Sequence, residues 1–289
     1  MHYLDEGAGP PLVMVHGNPT WSAYYRELVR AFRDEYRVVV PDHIGCGLSD
    51  APGDARYAYR LARRIDDLQR LLDHCGLHEN VTLVVHDWGG MIGFGAAVRR
   101  PERIARLVVL NTAAFRMPVG KKLPWELAFV RRAPLLPALL IRGANAFARA
   151  AAKRCVVRPM PEDARALLLA PYRSWRARRA VLRFVQDIPI ASRDPSYADV
   201  LDVERGLARL ADKPMLICWG QQDFVFDTDY YNEWRERFPD AEAHLWEDAG
   251  HYVLEDAAER VIARMRGFFD RCPLPRPAYS APPAGETDS

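Results

Sequence analysis

The chain has 289 residues, of which 49% are hydrophobic, and a formal net charge of +2. This length can bury one sizeable core, and the small net charge gives no support for nucleic acid as a partner. Five scattered cysteines without C-x-x-C spacing indicate reduced thiols in a cytoplasmic protein, and neither a disulfide framework nor a zinc site. The sequence contains no signal peptide and no apolar run of about 18 residues, so we expect no transmembrane segment.

The first part of the chain alternates apolar strands with helices. Residues 1–9 are predicted to form one short strand and a turn, and further strands are predicted at 11–17, 37–42, 80–87 and 104–110. One helix is predicted to end at about Phe32. A second is predicted at 59–75, where apolar side chains follow helical spacing, and a third at 91–97. This alternation predicts an α/β protein with a mostly parallel sheet and helices on both faces.

The alternation breaks after Ala113 and resumes at Lys213. Further strands are predicted at 213–220 and 243–246, and further helices at 230–238 and 254–269. Residues 114–210 carry helical patterns and prolines without a convincing strand. We therefore predict a core in two parts, 1–113 and 211–270, interrupted by a helical cap at 114–210. The proline-rich residues 271–289 are expected to form a disordered tail.

The cap region is strongly basic. From Arg131 to Arg183 it contains thirteen Arg or Lys residues against Glu162 and Asp163. A solvated cap surface explains this composition, and a patch for an acidic partner or an anionic amphiphile is the alternative. The apolar residues 135–141 are too few to cross a bilayer. Core packing, the lining of a substrate tunnel and contact with a membrane surface remain open for them.

Residues 81–90 join an apolar strand to a helix through His-Asp-Trp-Gly-Gly. A side chain at such a corner stands exposed above the sheet edge, and small residues must follow it. This is the pattern of the nucleophile elbow, usually G-x-S-x-G. Asp87 occupies the nucleophile position and Val85 that of the first glycine. An aspartate nucleophile changes the chemistry from ester hydrolysis to alkylation of a carboxylate. Alternatively, Asp87 only caps the following helix.

Two later strand ends supply partners for this nucleophile. Asp223 follows the strand that ends at Gly220, and His251 follows the next strand. The carboxyl ends of parallel strands build the sites of open α/β sheets. Separately, Asp223 could be a helix N-cap and His251 an incidental loop residue. Together with Asp87, in the order nucleophile, acid, histidine, they predict the catalytic triad of an α/β-hydrolase fold.

Two further residues are candidates for an anion site. The loop after the first long strand contains Asn18, and Trp88 follows the nucleophile. In this architecture the backbone N–H of Trp88 and the loop with Asn18 form the anion hole. The indole of Trp88 only donates hydrogen bonds and the amide of Asn18 can donate them, so both side chains suit an anion without a proton. Packing and turn formation are the alternative roles.

At these motifs the sequence resembles the haloalkane dehalogenases. The resemblance rests on residues 16–22 (HGNPTWS), 41–50 (PDHIGCGLSD), 86–90 (HDWGG) and 250–252 (GHY). It extends to about Phe269, and the position of Asp223 together with the Asn and Trp pair is similar to the third subgroup of that family. Relatives usually begin with one more strand, so we expect an edge strand to be absent or to precede Met1.

The sequence is still more similar to the β-lactone decarboxylases of bacterial long-chain olefin biosynthesis. That similarity rests on residues 110–115 (LNTAAF), 183–189 (RFVQDIP), 223–227 (DFVFD) and 250–256 (GHYVLED). It implies conversion of a cis-dialkyl β-lactone to a cis-alkene and carbon dioxide, without metal or organic cofactor. It also implies a hydrophobic small-molecule substrate and possible assembly with other enzymes of the olefin pathway.

The resemblance also implies the roles of the site residues. Asp87 would attack an electrophilic carbon, and Asn18 and Trp88 would hold the leaving carboxylate. His251, oriented by Asp223, could donate a proton as the adduct collapses. A haloalkane dehalogenase would use the same five residues, with His251 activating water. An epoxide hydrolase would need cap tyrosines, for which Tyr172 and Tyr197 are candidates. A non-catalytic binding protein is the last alternative.

Overall fold

A computed structural model of the chain describes residues 1–132 and 135–274. Within these ranges, seven strands form one sheet in the order β1-β3-β2-β4-β5-β6-β7. The strands are β1 (Tyr3–Glu6), β2 (Pro11–Val15), β3 (Arg37–Pro41), β4 (Val81–Asp87), β5 (Ile104–Thr112), β6 (Met215–Gly220) and β7 (Glu242–Trp246). Only β1, at one edge, pairs antiparallel to its neighbour, and the other pairs are parallel. The predicted mostly parallel α/β sheet is confirmed.

Helices connect the strands and cover both faces of the sheet. They are α1 (Arg26–Phe32), α2 (Leu61–His74), α3 (Trp88–Arg99), α4 (Trp125–Arg132), α5 (Leu136–Ala138), α6 (Ala146–Arg154), α7 (Glu162–Leu169), α8 (Arg179–Gln186), α9 (Tyr197–Gly206), α10 (Thr228–Arg237), α11 (Val253–Asp256) and α12 (Ala258–Arg271). A π-helical turn, Leu139–Gly143, continues α5. Three 3₁₀ turns lie at Ser22–Tyr25, Pro101–Arg103 and Leu207–Leu210.

The core lies on both faces of the central strands, because successive side chains of a strand point to opposite faces. In β4, Leu83 and Val85 belong to the hydrophobic cluster under α2, α3 and α10. Val84 belongs to the cluster under α1 and α12. A strand buried on both faces must be apolar throughout, which explains the uninterrupted apolar run that predicted β4.

Between β5 and β6 the described residues form helices and no strand. The boundaries of a core in two parts and a cap at 114–210 stay a prediction. The final predicted helix is divided in the structure, since Ala257 adopts φ −144° and ψ 28° between α11 and α12. Helix α12 includes Arg271, the first residue of the predicted tail, and residues 275–289 lie outside the described ranges. The described part contains no helix that is long and apolar enough to span a bilayer.

Candidate active site

Asp87 lies at the corner between β4 and α3. Its backbone adopts φ 51° and ψ −126°, a sparsely populated conformation that costs about 1–3 kcal/mol and is held only where the surroundings fix it. The hydroxyl of Thr112 on β5 donates a hydrogen bond to the Asp87 carbonyl oxygen. The Asp87 side chain makes no capping hydrogen bond to α3, and its Oδ1 accepts one from the backbone N–H of Asn18 at 2.6 Å. The carboxylate therefore points away from the helix and towards the loop after β2.

The residues around this corner must be glycines, because neighbouring atoms leave no room for a Cβ. A Cβ on Gly89 would lie 1.9 Å from the carbonyl oxygen of Val15, and one on Gly90 would lie 2.0 Å from Oγ1 of Thr112. A Cβ on Gly17 would lie 2.1 Å from Oδ1 of Asp87. The helix thus closes over the turn as the elbow pattern requires, and Gly17 lets the loop approach the carboxylate.

The unusual Val85 is accommodated by a glycine further along the chain. Val85 is buried in β4, where the elbow pattern has its first glycine. Its Cγ1 lies against Gly93 in α3, and a Cβ on Gly93 would approach that atom to 2.6 Å. The absence of a side chain at Gly93 leaves the space that the Val85 side chain fills.

Asp87, His251 and Asp223 come together at the carboxyl ends of β4, β7 and β6. Nδ1 of His251 lies 2.7 Å from Oδ2 of Asp223, and Nε2 lies 3.5 Å from Oδ2 of Asp87. All three side chains are buried. The 3.5 Å separation is that of an ion pair and is longer than a normal hydrogen bond. The structure therefore brings all three predicted triad residues together, and their catalytic roles stay a prediction.

Asp223 is held by donors that the sequence did not single out. Its Oδ1 accepts from the backbone N–H groups of Val225 (2.7 Å) and Phe226 (3.0 Å). Its Oδ2 accepts from the side-chain amide of Asn111 at 3.0 Å. The N-cap of α10 is Asp227, so Asp223 is free of that role. Asn111 is the last residue but one of β5, at the same sheet edge. A polar residue at the end of an apolar run is the sequence signal for it.

The two carboxylates set the charge of the histidine between them. Burial alone would lower the pKa of His251, but Asp223 and Asp87 raise it to about 10. Burial likewise opposes ionisation of Asp87, yet the hydrogen bond and charge of His251 lower the pKa of Asp87 below its ordinary value. At neutral pH the free site therefore holds an imidazolium beside an ionised Asp87, which is the form of an aspartate that can attack carbon.

A second histidine supports the backbone of the first. His86 is fully buried, and its Nε2 lies 2.8 Å from the carbonyl oxygen of His251. Burial lowers the pKa of His86 to about 3, so its ring is neutral and donates to that oxygen. In the sequence, His86 stands out only as the first residue of the HDWGG motif.

The two predicted anion-binding residues lie beside the nucleophile. The Asn18 amide donates to the carbonyl oxygen of Val181 on α8 at 3.2 Å, and an amide carries a second N–H. The ring of Trp88 packs against Phe184 of the same helix, with centroids 5.2 Å apart. Both Asn18 and Trp88 line the cavity at Asp87. The arrangement can present an amide and an indole N–H to a negatively charged group.

The loop that carries Asn18 is fixed by the next loop in the sheet. Nε2 of His16 accepts from the backbone N–H of His43 at 3.0 Å, and the His43 ring lies 2.8 Å from the His16 carbonyl oxygen. Asp42 accepts from the backbone N–H of Ser22 at 2.7 Å. These bonds give structural roles to the two polar loop motifs of the sequence and hold Asn18 in place.

Asp87, His251, Asn18 and Trp88 line one cavity of about 400 Å³. Asp223 lies behind His251 and does not line this cavity. The cavity wall is mostly apolar, and Phe115, Leu127, Val130, Ile141, Phe147 and Val185 are among the lining residues. Neither Tyr172 nor Tyr197 lines this cavity, whereas Tyr230 does. Tyr172 is buried and donates to the carbonyl oxygen of Thr20, so it cannot protonate an epoxide held at Asp87.

No group of three or more His, Cys, Asp or Glu residues within residues 1–132 and 135–274 could hold a metal ion. At the cavity, the described residues present an ionised carboxylate, an imidazolium and neutral hydrogen-bond donors to an apolar wall. Such a set suits displacement at carbon with an anionic leaving group.

Comparison with known proteins shows which sequences and folds this chain resembles. Residues 10–258 match the family model described as the alpha/beta hydrolase fold. The chain is 53% identical to a cis-3-alkyl-4-alkyloxetan-2-one decarboxylase of Shewanella oneidensis, over 93% of this chain and 84% of that one. It is 45% identical to the enzyme of the same name from Xanthomonas campestris pv. campestris, over 95% and 93%. The crystal structure of an ancestral haloalkane dehalogenase superposes with a TM-score of 0.83 at 26% identity, covering 94% of this chain and 95% of that one.

Proposed function

This chain belongs to the α/β-hydrolase family, and on that premise we propose that it converts cis-3,4-dialkyl β-lactones to cis-alkenes and carbon dioxide. The observation that carries this proposal is the 53% and 45% identity to two decarboxylases of such lactones over more than nine tenths of the chain. The site alone fits both this reaction and dehalogenation, because both begin with displacement by a carboxylate.

In the first proposed step, Asp87 attacks C4 of the lactone, the saturated ring carbon that is bonded to the ring oxygen. A bond forms between a carboxylate oxygen of Asp87 and C4, and the C4–O bond of the ring breaks. Its electron pair stays on the released carboxylate, which remains attached through C3. The amide of Asn18 and the indole of Trp88 would donate hydrogen bonds to this new anion.

In the second step, the adduct fragments. The C3–carboxylate bond breaks, its electrons form the C3=C4 double bond, carbon dioxide leaves, and Asp87 departs with the electrons of its bond to C4. Neither water nor a net proton is consumed. Attack at the carbonyl carbon would instead give an anhydride and an alkoxide, from which no alkene forms without breaking a further C–O bond. This balance favours attack at C4.

The stereochemistry is consistent with the same path. Attack opposite to the ring oxygen inverts C4 and sets the new bond to Asp87 anti to the C3–carboxylate bond. Fragmentation from this anti geometry leaves both alkyl groups on the same side of the double bond. A cis-lactone therefore gives a cis-alkene.

The charge of His251 supports fragmentation over hydrolysis. In the adduct, Asp87 has lost its charge, but the carboxylate of the substrate supplies another anion close to the ring. We infer that His251 stays protonated, so it cannot take a proton from water, and that it stabilises Asp87 as the departing carboxylate. Asp223 would hold the ring in place through its 2.7 Å contact with Nδ1.

Dehalogenation of haloalkanes is the second candidate, favoured by the structural similarity to a haloalkane dehalogenase. Once the halide departs, no anion of the substrate would hold the proton on His251, which could then activate water. Epoxide hydrolysis is not supported, since Tyr172 and Tyr197 lie outside the cavity lining. A non-catalytic binding protein is not supported either, because the similar proteins are named as enzymes.

We also infer a cytoplasmic location from cysteine usage. All five cysteines are free thiols, and cytosolic proteins keep their thiols reduced. Assembly with other enzymes of an olefin pathway stays a prediction of the family resemblance.

Product analysis tests the proposal. Wild-type protein should release one cis-alkene per cis-β-lactone consumed, and Asp87→Asn should lower kcat/KM about 10⁴-fold or more. Parallel reactions with 1-bromoalkanes measure the alternative. Bromide release without alkene formation from the lactone, or a β-hydroxy acid as the main product, would contradict decarboxylation.

A further inference from the structure

Exposed apolar side chains of the predicted cap and of the loop after β6 surround the mouth of the cavity. Trp125 is 75% exposed, and Phe129, Leu140 and Phe224 are also exposed while lining the cavity. Leu136 and Leu139, at 52% and 60%, precede Leu140 on α5 and the π-helical turn that continues it. We name this set of residues, Trp125, Phe129, Leu136, Leu139, Leu140 and Phe224, the apolar rim.

The apolar rim differs from the scattered apolar exposure of ordinary surfaces. Four of its members share one cavity mouth, and Leu136 lies four residues before Leu140, on the same side of one helical segment. Isolated exposed leucines need no explanation, whereas a contiguous exposed patch marks an interaction site. Water contact with so many large side chains costs free energy that a partner surface would remove.

The surroundings of the apolar rim are basic. Residues 117–154 contain eight Lys or Arg residues and one acidic residue, Glu126. Three of the cations are neutralised, since Arg154 pairs with Glu126, Arg131 pairs with Asp194, and Lys121 pairs with acidic residues at the start of α10. Lys122, at the cavity mouth, and Arg132 are exposed and form no ion pair with any residue that the structure describes. Cations beside an exposed apolar set complement anionic headgroups above an apolar interior.

We propose that the apolar rim docks on a bilayer that contains anionic lipids, and that the mouth takes its substrate from that bilayer. A folded protein seated on the rim would close the mouth, whereas fluid lipid can both cover the rim and supply an apolar ligand. The identity of the ligand rests on the proposed function, and the docking does not. The cations would contact lipid phosphates while the leucines enter the headgroup boundary.

Vesicle sedimentation with the full chain tests the docking. Vesicles of phosphatidylcholine alone are compared with vesicles containing about one third phosphatidylglycerol. Wild type should bind the anionic vesicles more tightly and lose binding as salt rises. Leu136→Gln/Leu139→Gln and Lys122→Gln/Arg132→Gln should each weaken binding about tenfold. Matched controls are Leu48→Gln, at an exposed leucine of the loop after β3, and Arg56→Gln, and both should bind within about twofold of wild type.

Equal binding to both vesicle types, or no binding to either, would overturn the proposal. So would a dimer in light scattering that Leu136→Gln/Leu139→Gln converts to a monomer, because a second copy would then occupy the rim. Asp87→Asn should bind vesicles like wild type. If wild type forms no alkene but this binding pattern holds, the proposed function fails and the docking stands.

Turnover tests the supply of substrate. Leu136 and Leu139 do not line the cavity, so their double variant should process a dissolved short-chain lactone with wild-type kcat and KM. With a long-chain lactone in anionic vesicles, the same variant should show an apparent KM raised about tenfold at unchanged kcat. An unchanged KM for the vesicle-borne lactone would contradict delivery through the rim.

Discussion

The amide of Asn111 donates a 3.0 Å hydrogen bond to Oδ2 of Asp223, the same oxygen that lies 2.7 Å from the ring of His251. Asn111 also bonds Gly220 in both directions, accepting from its N–H at 2.8 Å and donating to its carbonyl oxygen at 3.0 Å. One side chain thus ties the end of β5 to the end of β6 and fixes the acid of the site.

Replacing Asn111 with Ala should therefore weaken both the fold and the reaction. The buried N–H of Gly220 would lose its acceptor, which costs about 1–3 kcal/mol of unfolding free energy. Alkene formation should fall about tenfold or more, because Asp223 no longer holds His251 in a single orientation. Urea unfolding and steady-state kinetics measure the two effects. Asn232→Ala, on the exposed face of α10, is the control and should change neither quantity. A fully active Asn111→Ala variant would show that Asn111 does not contribute to the site.

The pKa of His251 predicts how stability depends on pH. In the folded state this pKa is about 10, above the ordinary 6.5, so folding binds a proton between these values. The stabilisation is complete below about pH 6.5 and is lost as the pH rises through about 10. Urea midpoints of wild type should fall over that window, and those of His251→Gln should fall less. The urea midpoints should be measured above pH 6.5. Below pH 6.5 the buried His86, with a pKa of about 3, destabilises the folded state.

The same titration should appear in kinetics. If the imidazolium stabilises the departing Asp87, kcat for alkene formation should fall on the alkaline side and stay level through neutral pH. A rate that rises with pH through neutrality would instead identify His251 as a general base, as dehalogenation requires.

The contact between Val85 and Gly93 predicts a steric test of the elbow. In Gly93→Ala the new methyl would lie 2.6 Å from Cγ1 of Val85, and overpacking of this kind costs about 1–3 kcal/mol. Val85→Ala should recover much of that loss in the double variant, as thermal unfolding can measure. Gly267→Ala in α12 is the matched control. There the new atom meets only the flexible end of Arg271 at 3.2 Å, and the change should be neutral or stabilising.

Trp88→Phe tests the proposed anion donor. The substitution keeps an aromatic ring against Phe184 and removes the indole N–H. We expect kcat for alkene formation to fall about 10²–10³-fold with little change in thermal stability. Trp246→Phe on the edge strand β7 serves as the control. A Trp88→Phe variant with wild-type kcat would assign Trp88 to packing alone.

Much of this site could be predicted because its residues follow strands. Asp87, Asp223 and His251 each come just after an apolar run, and parallel strands bring such positions to one sheet edge. Asn111 occupies a similar position, but the sequence gives no sign of its role, because an amide at a strand end is neither a nucleophile nor a general base. Its role depends on Gly220 and Asp223, about 110 residues further along the chain, and only the folded sheet reveals that contact.

Other features depended on packing that a sequence pattern does not contain. The missing glycine at Val85 is explained by Gly93, since only the structure specifies which helix residue faces which strand residue. Tyr172 was a reasonable acid for an epoxide, but its hydroxyl is directed to Thr20 and away from the cavity. The break at Ala257 lies within an apolar pattern of helical spacing, so periodicity alone predicted one continuous helix.

The central claim is that the ester on Asp87 breaks by loss of carbon dioxide and not by addition of water. Water that hydrolyses an ester on Asp87 leaves its oxygen in that carboxylate, whereas fragmentation returns the original oxygens. The test is to let wild-type protein complete many turnovers of a cis-β-lactone in H₂¹⁸O. Mass spectrometry then measures the mass of the peptide that contains Asp87. We predict an unlabelled Asp87 together with one cis-alkene per lactone. Incorporation of ¹⁸O into Asp87 with release of a β-hydroxy acid would contradict the account.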